Sequence, residues 1–400
     1  MTSRHLLLIG LLVVVAGVWW ASGLGRTPAD PRSAFTQQQI ERARDYHAPK
    51  YAAWTLAAAA DLALLSALVF TKTGQRLLQP IRSWPWLAAA AATAALVVLA
   101  RAIVRLPFSF WSGFLHERAW GFSTQSAVAW FGDWGRSLAV SAVIVGVVFV
   151  GFAALVRALP RGWPGAAAAG AAVLVAALSF LWPLLVEPLF NRFTPLENRE
   201  LAVELSALAD RAGVPISEVL VSDASRRTTK ENAYVSGFGA SRRLVLYDTL
   251  LERADDDEVA LVVAHELGHR SEGHVEKGAL IGMASAAGVV GALWLLSRSR
   301  GLLSAAGAEG PGDPRFLLVL ALFVAVFTLA TLPPSNWLSR RFETSADRFA
   351  LELTGVRETY VRTERGLALR NLSDLDPGPL VYRFLFTHPA PAERIAIADR

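Results

Sequence analysis

Seven long stretches of this chain carry almost no charge, and a backbone in hydrocarbon has few ways to fold. Leu6 to Leu24, Tyr51 to Thr71, Ser83 to Ala100, Ser137 to Val156, Gly162 to Val186, Gly278 to Ser297 and Phe316 to Ser339 each hold about the 18 or more residues that one bilayer crossing needs. Only Asp61 interrupts the second run. A carboxylate facing lipid is costly, so Asp61 is expected to face a neighbouring helix or an enclosed space. Composition agrees, with 53% hydrophobic residues, 18% charged residues and 13 Trp in 400 residues. The fold class expected is mainly α, a polytopic seven-helix membrane protein.

The first run has a second reading, the apolar core of a cleaved signal peptide with Arg4 before it. Trp19 and Trp20 near its end suit a membrane interface better than a small-residue cleavage site. The absence of cysteine excludes disulfides, thiolate metal ligands and a C-terminal lipidation motif. The net charge of +5 comes from arginines dispersed among the loops that flank the spans. Charge placed that way serves membrane topology, so no nucleic-acid partner is expected.

Two polar regions interrupt the spans, dividing the chain into 1–186, 187–277, 278–339 and 340–400. In the first polar region, Leu201, Leu205 and Leu208 recur at helical spacing within 197–209. Glu218 to Asp223, Ala233 to Ser236 and Arg243 to Tyr247 read as strands, the last two joined by a turn over 237–241. Asp255 to Asp257 supply N-terminal capping charge to the helix that follows. Residues 340–351 are helical in pattern and emerge directly from the last span, while residues 301–314 read as a short loop. Five spans precede 187–277 and seven precede 340–400, so the two polar regions share one face. Basic residues flank the spans on both sides, and their bias does not select which face that is.

Residues 265–269 read His-Glu-Leu-Gly-His, in a chain with only 7 histidines. On a helix, His265 and His269 lie one turn apart on one face, so both imidazoles reach a single Zn²⁺, with Glu266 placed as general base. Zinc hydrolases keep three protein ligands, and two histidines with one glutamate are an established set. Glu343 is the candidate third ligand. Asp347, four residues on and on the same helix face, is the candidate acceptor for the second N–H of a ligand histidine. A solvated helix face, with Glu343 and Asp347 paired to Arg340, Arg341 or Arg348, is the alternative. His274 would lie well around a continuing helix from His269, and reads as a surface or packing residue outside the site.

The chain resembles the CAAX prenyl protease type 1 family of integral-membrane zinc metalloendopeptidases, in a bacterial-looking form. The matching segments are Phe-Leu-His-Glu-Arg-Ala-Trp-Gly-Phe-Ser at 114–123, Glu-Pro-Leu-Phe-Asn-Arg-Phe-Thr-Pro-Leu at 187–196, Glu-Asn-Ala-Tyr-Val-Ser-Gly-Phe-Gly at 231–239, Arg-Leu-Val-Leu-Tyr-Asp-Thr-Leu-Leu at 243–251, the 265–269 motif, Glu-Thr-Ser-Ala-Asp at 343–347, and Thr-His-Pro-Ala-Pro-Ala-Glu-Arg-Ile at 387–395. The resemblance implies a membrane protein that encloses a chamber, with a small α/β, gluzincin-like metalloprotease domain and one Zn²⁺ per chain. It implies His265, His269 and Glu343 as metal ligands, Glu266 as catalytic base, and Asp347 as supporting residue or proton donor. Asn232 and His388 match polar groups that bind the substrate or its tetrahedral intermediate. Read from the residues alone, Asn232 also suits a turn cap and His388 a loop position before Pro389. Lys230 and Glu231 depart from the pair found in eukaryotic members, which leaves substrate preference open.

The function expected is hydrolysis of peptide or membrane-protein substrates in a bacterial cell membrane, with the catalytic face cytoplasmic. The backbone near Asn232 is expected to offer an edge strand to an extended substrate. Two rival readings are a quality-control protease of the bacterial heat-shock type and a non-enzymatic scaffold holding a structural metal. A structural site has no use for a base, so an intact Glu266 weighs against the scaffold.

Overall fold

The computed structural model describes residues 29–399. The first apolar run, Leu6 to Leu24, lies outside the described residues. The other six runs form six helices long and apolar enough to cross a membrane.

Helix α1, Gln37–Phe70, opens on a reciprocal cap in which Thr36 and Gln39 satisfy each other's backbone N–H groups. Helix α2, Trp86–Phe110, continues through a wide π turn at Trp111–Leu115. The buried Asp61 of α1 accepts two hydrogen bonds from Arg101 of α2, at 2.9 and 2.8 Å. A bidentate pair between neighbouring helices thus meets the cost of the charge. Helix α3, Ala127–Ala158, packs on α2. Helix α4, Trp163–Leu181, runs on through a second π turn at Trp182–Val186, where Pro183 lacks the N–H a regular turn would use. Leu65, Val97, Phe149, Phe152 and Phe316 sit in the core that these helices share with the last membrane helix.

The first polar region folds as a small α/β unit. Strand β1, Phe193–Pro195, leads into helix α5, Arg199–Arg211, which Asn198 caps through Leu201 N–H at 3.1 Å. Strands β2 (Glu218–Ser222), β3 (Ala233–Ser236) and β4 (Arg243–Tyr247) complete a sheet of order β1-β2-β4-β3. The β2–β4 pair is parallel and the other pairs are antiparallel, which leaves β3 as an edge strand. Parallel pairing buries strands on both faces, which is why Leu244, Val245 and Leu246 are all buried. Helix α6, Asp256–Ser271, carries the His-Glu-Leu-Gly-His motif and is capped by Asp255 through Glu258 N–H at 2.8 Å. It lies against the sheet over a core of Leu205, Leu208, Leu244, Val263 and Leu267.

Gly273, at φ +65°, ends that run in the left-handed region that favours glycine, and helix α7, His274–Leu296, starts anew. Residues 301–314, expected as a loop, begin instead with helix α8, Arg300–Ala306. Ser299 caps it, its leucines and alanines favour helix, and Gly307 at φ +63° stops it. Helix α9, Pro314–Thr354, is a single 41-residue helix through Pro333 and Pro334. It carries the last apolar run at one end and Glu343 and Asp347 at the other. Helices α10 (Arg357–Arg370), α11 (Pro379–Leu385) and α12 (Pro391–Ile395) then fold back over the site.

Helix α6 packs along α9, and α10 packs on both α6 and α12. Two regions separated by two membrane helices therefore form one body. Single cysteines at Glu204 and Asp399, both exposed, are expected to react with a membrane-impermeant thiol reagent from the same side. Reaction from opposite sides would rule out the shared face.

Candidate active site

The contact between α6 and α9 turns on one absent side chain. A Cβ on Gly268 would stand 3.1 Å from Ala346 Cα, so glycine lets the two backbones approach this closely without crowding. With the axes that near, Glu343 reaches the imidazoles one turn away on α6. His265 Nε2 lies 3.2 Å from His269 Nε2 and 3.2 Å from Glu343 Oε2, and His269 Nε2 lies 3.5 Å from Glu343 Oε1. A tetrahedral ion with bonds of about 2.0–2.2 Å has edges of about 3.3–3.6 Å. The two imidazole nitrogens and the Glu343 carboxylate, which turns one oxygen to each, are thus spaced as ligands of one metal ion would be. Glu343 Oε2 is also buried without a hydrogen-bond partner, an expense that a metal ion would remove. The residues fit Zn²⁺.

Behind His265 runs a chain of paired charges. His265 Nδ1 lies 2.8 Å from Asp347 Oδ1, and Asp347, fully buried, takes two bonds from Arg394, at 2.9 and 2.5 Å. Arg394 reaches Glu364 on its far side at 2.8 Å. Burial disfavours charge on His265, yet the Asp347 and Glu343 carboxylates beside it raise its pKa to about 10. The pocket's field therefore favours a cation. Burial pushes the Glu266 carboxyl above the ordinary carboxylate range. Burial likewise raises Glu364, to about 7, against the pull of Arg394.

The structure brings His265, His269, Glu343 and Asp347 into contact, and sets His388 Nε2 3.3 Å from Glu343 Oε2. His388 is held by Thr387 at 2.9 Å, with 56% of its side chain exposed. Asn232, His265, Glu266, His388 and Arg394 line one cavity of about 500 Å³. Arg340, considered as an ion-pair partner for α9 acids, instead donates to the carbonyls of Tyr382 and Phe386. His274 corrects the sequence reading most. The helix does not continue through it, because the Gly273 turn swings α7 back, and His274 Nδ1 lies buried 3.0 Å from His269 Nδ1. Sequence reasoning also passed over Arg394 and Glu364. Arg394 lies inside the 387–395 segment quoted above, but nothing local ties Glu364 to it.

Removing Arg394 leaves two buried carboxylates without their partner. Arg394→Met should therefore cost about 3–5 kcal/mol of stability. Adding Glu364→Gln to it should recover part of that loss, because one of the stranded charges is gone. Thermal unfolding of the detergent-solubilised protein reads both, and strictly additive losses would argue against the shared network.

Comparison with known proteins gives the family and the fold. The model of peptidase family M48 matches residues 195–400, and that described as the CAAX prenyl protease N-terminal domain, with five membrane helices, matches residues 23–192. The uncharacterised metalloprotease YhfN of Bacillus subtilis is 35% identical, over 74% of this chain and 70% of its own length. The CAAX prenyl protease 1 homologue of Arabidopsis thaliana is 31% identical, and CAAX prenyl protease 1 of Saccharomyces cerevisiae 28%, with coverage of 74% of this chain for both and of 70% and 69% of their own lengths. The fold is that of S. mikatae Ste24p, with a TM-score of 0.77 over 98% of this chain and 97% of that one, at 23% identity. The chain belongs to peptidase family M48, and it is a multi-pass membrane zinc metalloendopeptidase.

Proposed function

We propose that His265, His269 and Glu343 hold one Zn²⁺ per chain, and that this site cleaves peptide bonds of substrates drawn from the membrane. The observation that carries the reading is the convergence of two imidazole nitrogens 3.2 Å apart with the Glu343 carboxylate, whose oxygens lie 3.2 and 3.5 Å from them. Zn²⁺ in such a site supplies a Lewis acid that polarises the peptide carbonyl and makes a water easier to deprotonate. Glu266, on the cavity wall beside His265, takes the proton of the attacking water and passes it to the leaving amine. Its raised pKa suits both halves of that task. Asp347 holds His265 with Nδ1–H pointing away from the metal, and Arg394 keeps Asp347 ionised and in place.

Substrate lies, in this reading, along the edge of β3, beside which no further strand pairs among the described residues. Asn232 at the head of that strand and His388 across the cavity bind its polar backbone. A second cavity, of about 440 Å³ and lined by Trp54, Arg105 and Phe108 among others, shares His47, Tyr51 and Leu385 with the first. The two together form the chamber that leads substrate from the membrane helices to the zinc. The relatives named CAAX prenyl proteases make prenylated C-terminal peptides the first substrates to assay. The catalytic face in this reading is the cytoplasmic one. Regions 187–277 and 340–400 form the catalytic unit, and 1–186 and 278–339 the membrane part.

Glu266→Gln should keep about one Zn²⁺ per chain and its fold, yet lose proteolysis by about 10² to 10⁴-fold, because the amide takes no proton. Metal analysis beside a peptide-cleavage assay tests it, and near wild-type activity would sink the mechanism.

His388→Ala should lower kcat by about 10²-fold with zinc content and KM little changed, since an imidazole bonding the oxyanion acts mainly in the transition state. A change in KM alone would make His388 a substrate-binding residue instead.

A further inference from the structure

We infer that His274 is a positioning residue, which holds His269 in the one tautomer able to bind the metal. The inference rests on the reading of His269 as a ligand. It follows from counting protons along a chain of three side chains that Gly273 and the α6–α9 contact bring together.

The chain starts at Ser345 on α9. Its hydroxyl lies 3.1 Å from the Phe342 carbonyl and 3.1 Å from His274 Nε2. A hydroxyl has one proton, and we place it on the Phe342 carbonyl, which only accepts and lies within hydrogen-bond distance. The hydroxyl oxygen must then accept from His274, which places a hydrogen on His274 Nε2. The other group near that nitrogen, Glu272 Oε2 at 3.5 Å, is an acceptor too and asks for the same hydrogen.

A neutral imidazole protonated at Nε2 presents a bare lone pair at Nδ1. That lone pair faces His269 Nδ1 at 3.0 Å. Two bare nitrogens at that distance would repel, so His269 carries its hydrogen on Nδ1 and donates it to His274. What remains is His269 Nε2, bare, at the corner shared with His265 Nε2 and Glu343 Oε1. The tautomer is thus assigned by the hydrogen-bond network from Phe342 outward.

The ring of His274 is built in for this. It is 5% exposed and stacks on Phe342 with centroids 4.3 Å apart and planes 13° apart, which fixes the ring plane, and in this orientation both of its nitrogens have partners. Asp347 does the same service for His265, but as a carboxylate.

The test is zinc affinity of the full-length protein in detergent, by competition with a chelator, together with thermal unfolding of the chelator-treated protein. His274→Phe keeps a flat ring against Phe342 and removes the acceptor. It should weaken zinc binding by about 10- to 100-fold, the usual effect of losing a partner to a ligand histidine, while the unfolding temperature without zinc is little changed. His274→Asn puts an amide oxygen close to the position of Nδ1 and should recover most of the affinity. Zinc bound as tightly by His274→Phe as by the wild type would overturn the inference, leaving His274 as packing. So would His274→Asn no better than His274→Phe, since the loss would then follow from shape. His269→Ala serves as the control for the underlying reading: full zinc affinity there would remove His269 from the ligand set altogether.

Discussion

The close approach of α6 to α9 is the constraint on which the site depends. Two histidines on a soluble-type helix make half a metal site wherever they occur, and here the other half comes from the far end of a membrane-spanning helix. Gly268 sets the distance. A side chain at that position would press on Ala346 and Phe349 and push against the contact that holds Glu343 beside His265 and His269. Because α9 is one unbroken helix from Pro314 to Thr354, its seating among α1, α2 and α7 fixes Glu343 as well. Membrane packing and metal geometry are therefore one structural problem for this chain.

Charge is the second constraint. Glu266, Glu343, Asp347 and Glu364 crowd around two imidazoles, with Arg394 as the cation that touches two of them. Such a cluster is costly to bury unless a further positive charge joins it, and the high pKa of His265 is the same demand expressed as a proton. A divalent cation meets that demand better than a proton, because it engages Glu343 and both histidines at once. Glu343 Oε2, buried beside two imidazole nitrogens yet without a hydrogen bond, marks the place where the balance is open.

Much of this was legible in the sequence because it is local. Charge-free runs read directly as spans, six of which are helices among the described residues. The strands at 233–236 and 243–247 show in their β-branched and aromatic residues, and the cap at Asp255 shows in three successive aspartates. What stayed hidden is tertiary. β1 is three residues long and contains Pro195, so it has no pattern of its own and exists through its pairing with β2. The α8 helix was masked by Gly301 within it and by Gly307, Gly310 and Gly312 after it. His274 was misplaced because one glycine, Gly273, changes a helical wheel into two helices. Glu364 meets Arg394 only because α10 and α12 fold onto each other, and no spacing in the sequence announces that.

The two histidines of the motif are matched in sequence spacing but not in their supports, and the difference bears on reactivity. A carboxylate behind a ligand histidine raises the basicity of the imidazole and so lessens the electron demand of the metal. His265 has such a support in Asp347, itself steadied by Arg394. His269 has the neutral ring of His274. Glu343 brings a full negative charge of its own to the site. A second carboxylate behind His269 would add to that charge and blunt the Lewis acidity on which carbonyl polarisation relies. A neutral acceptor there orients His269 without that cost, so the site combines firm geometry with a metal that stays electrophilic.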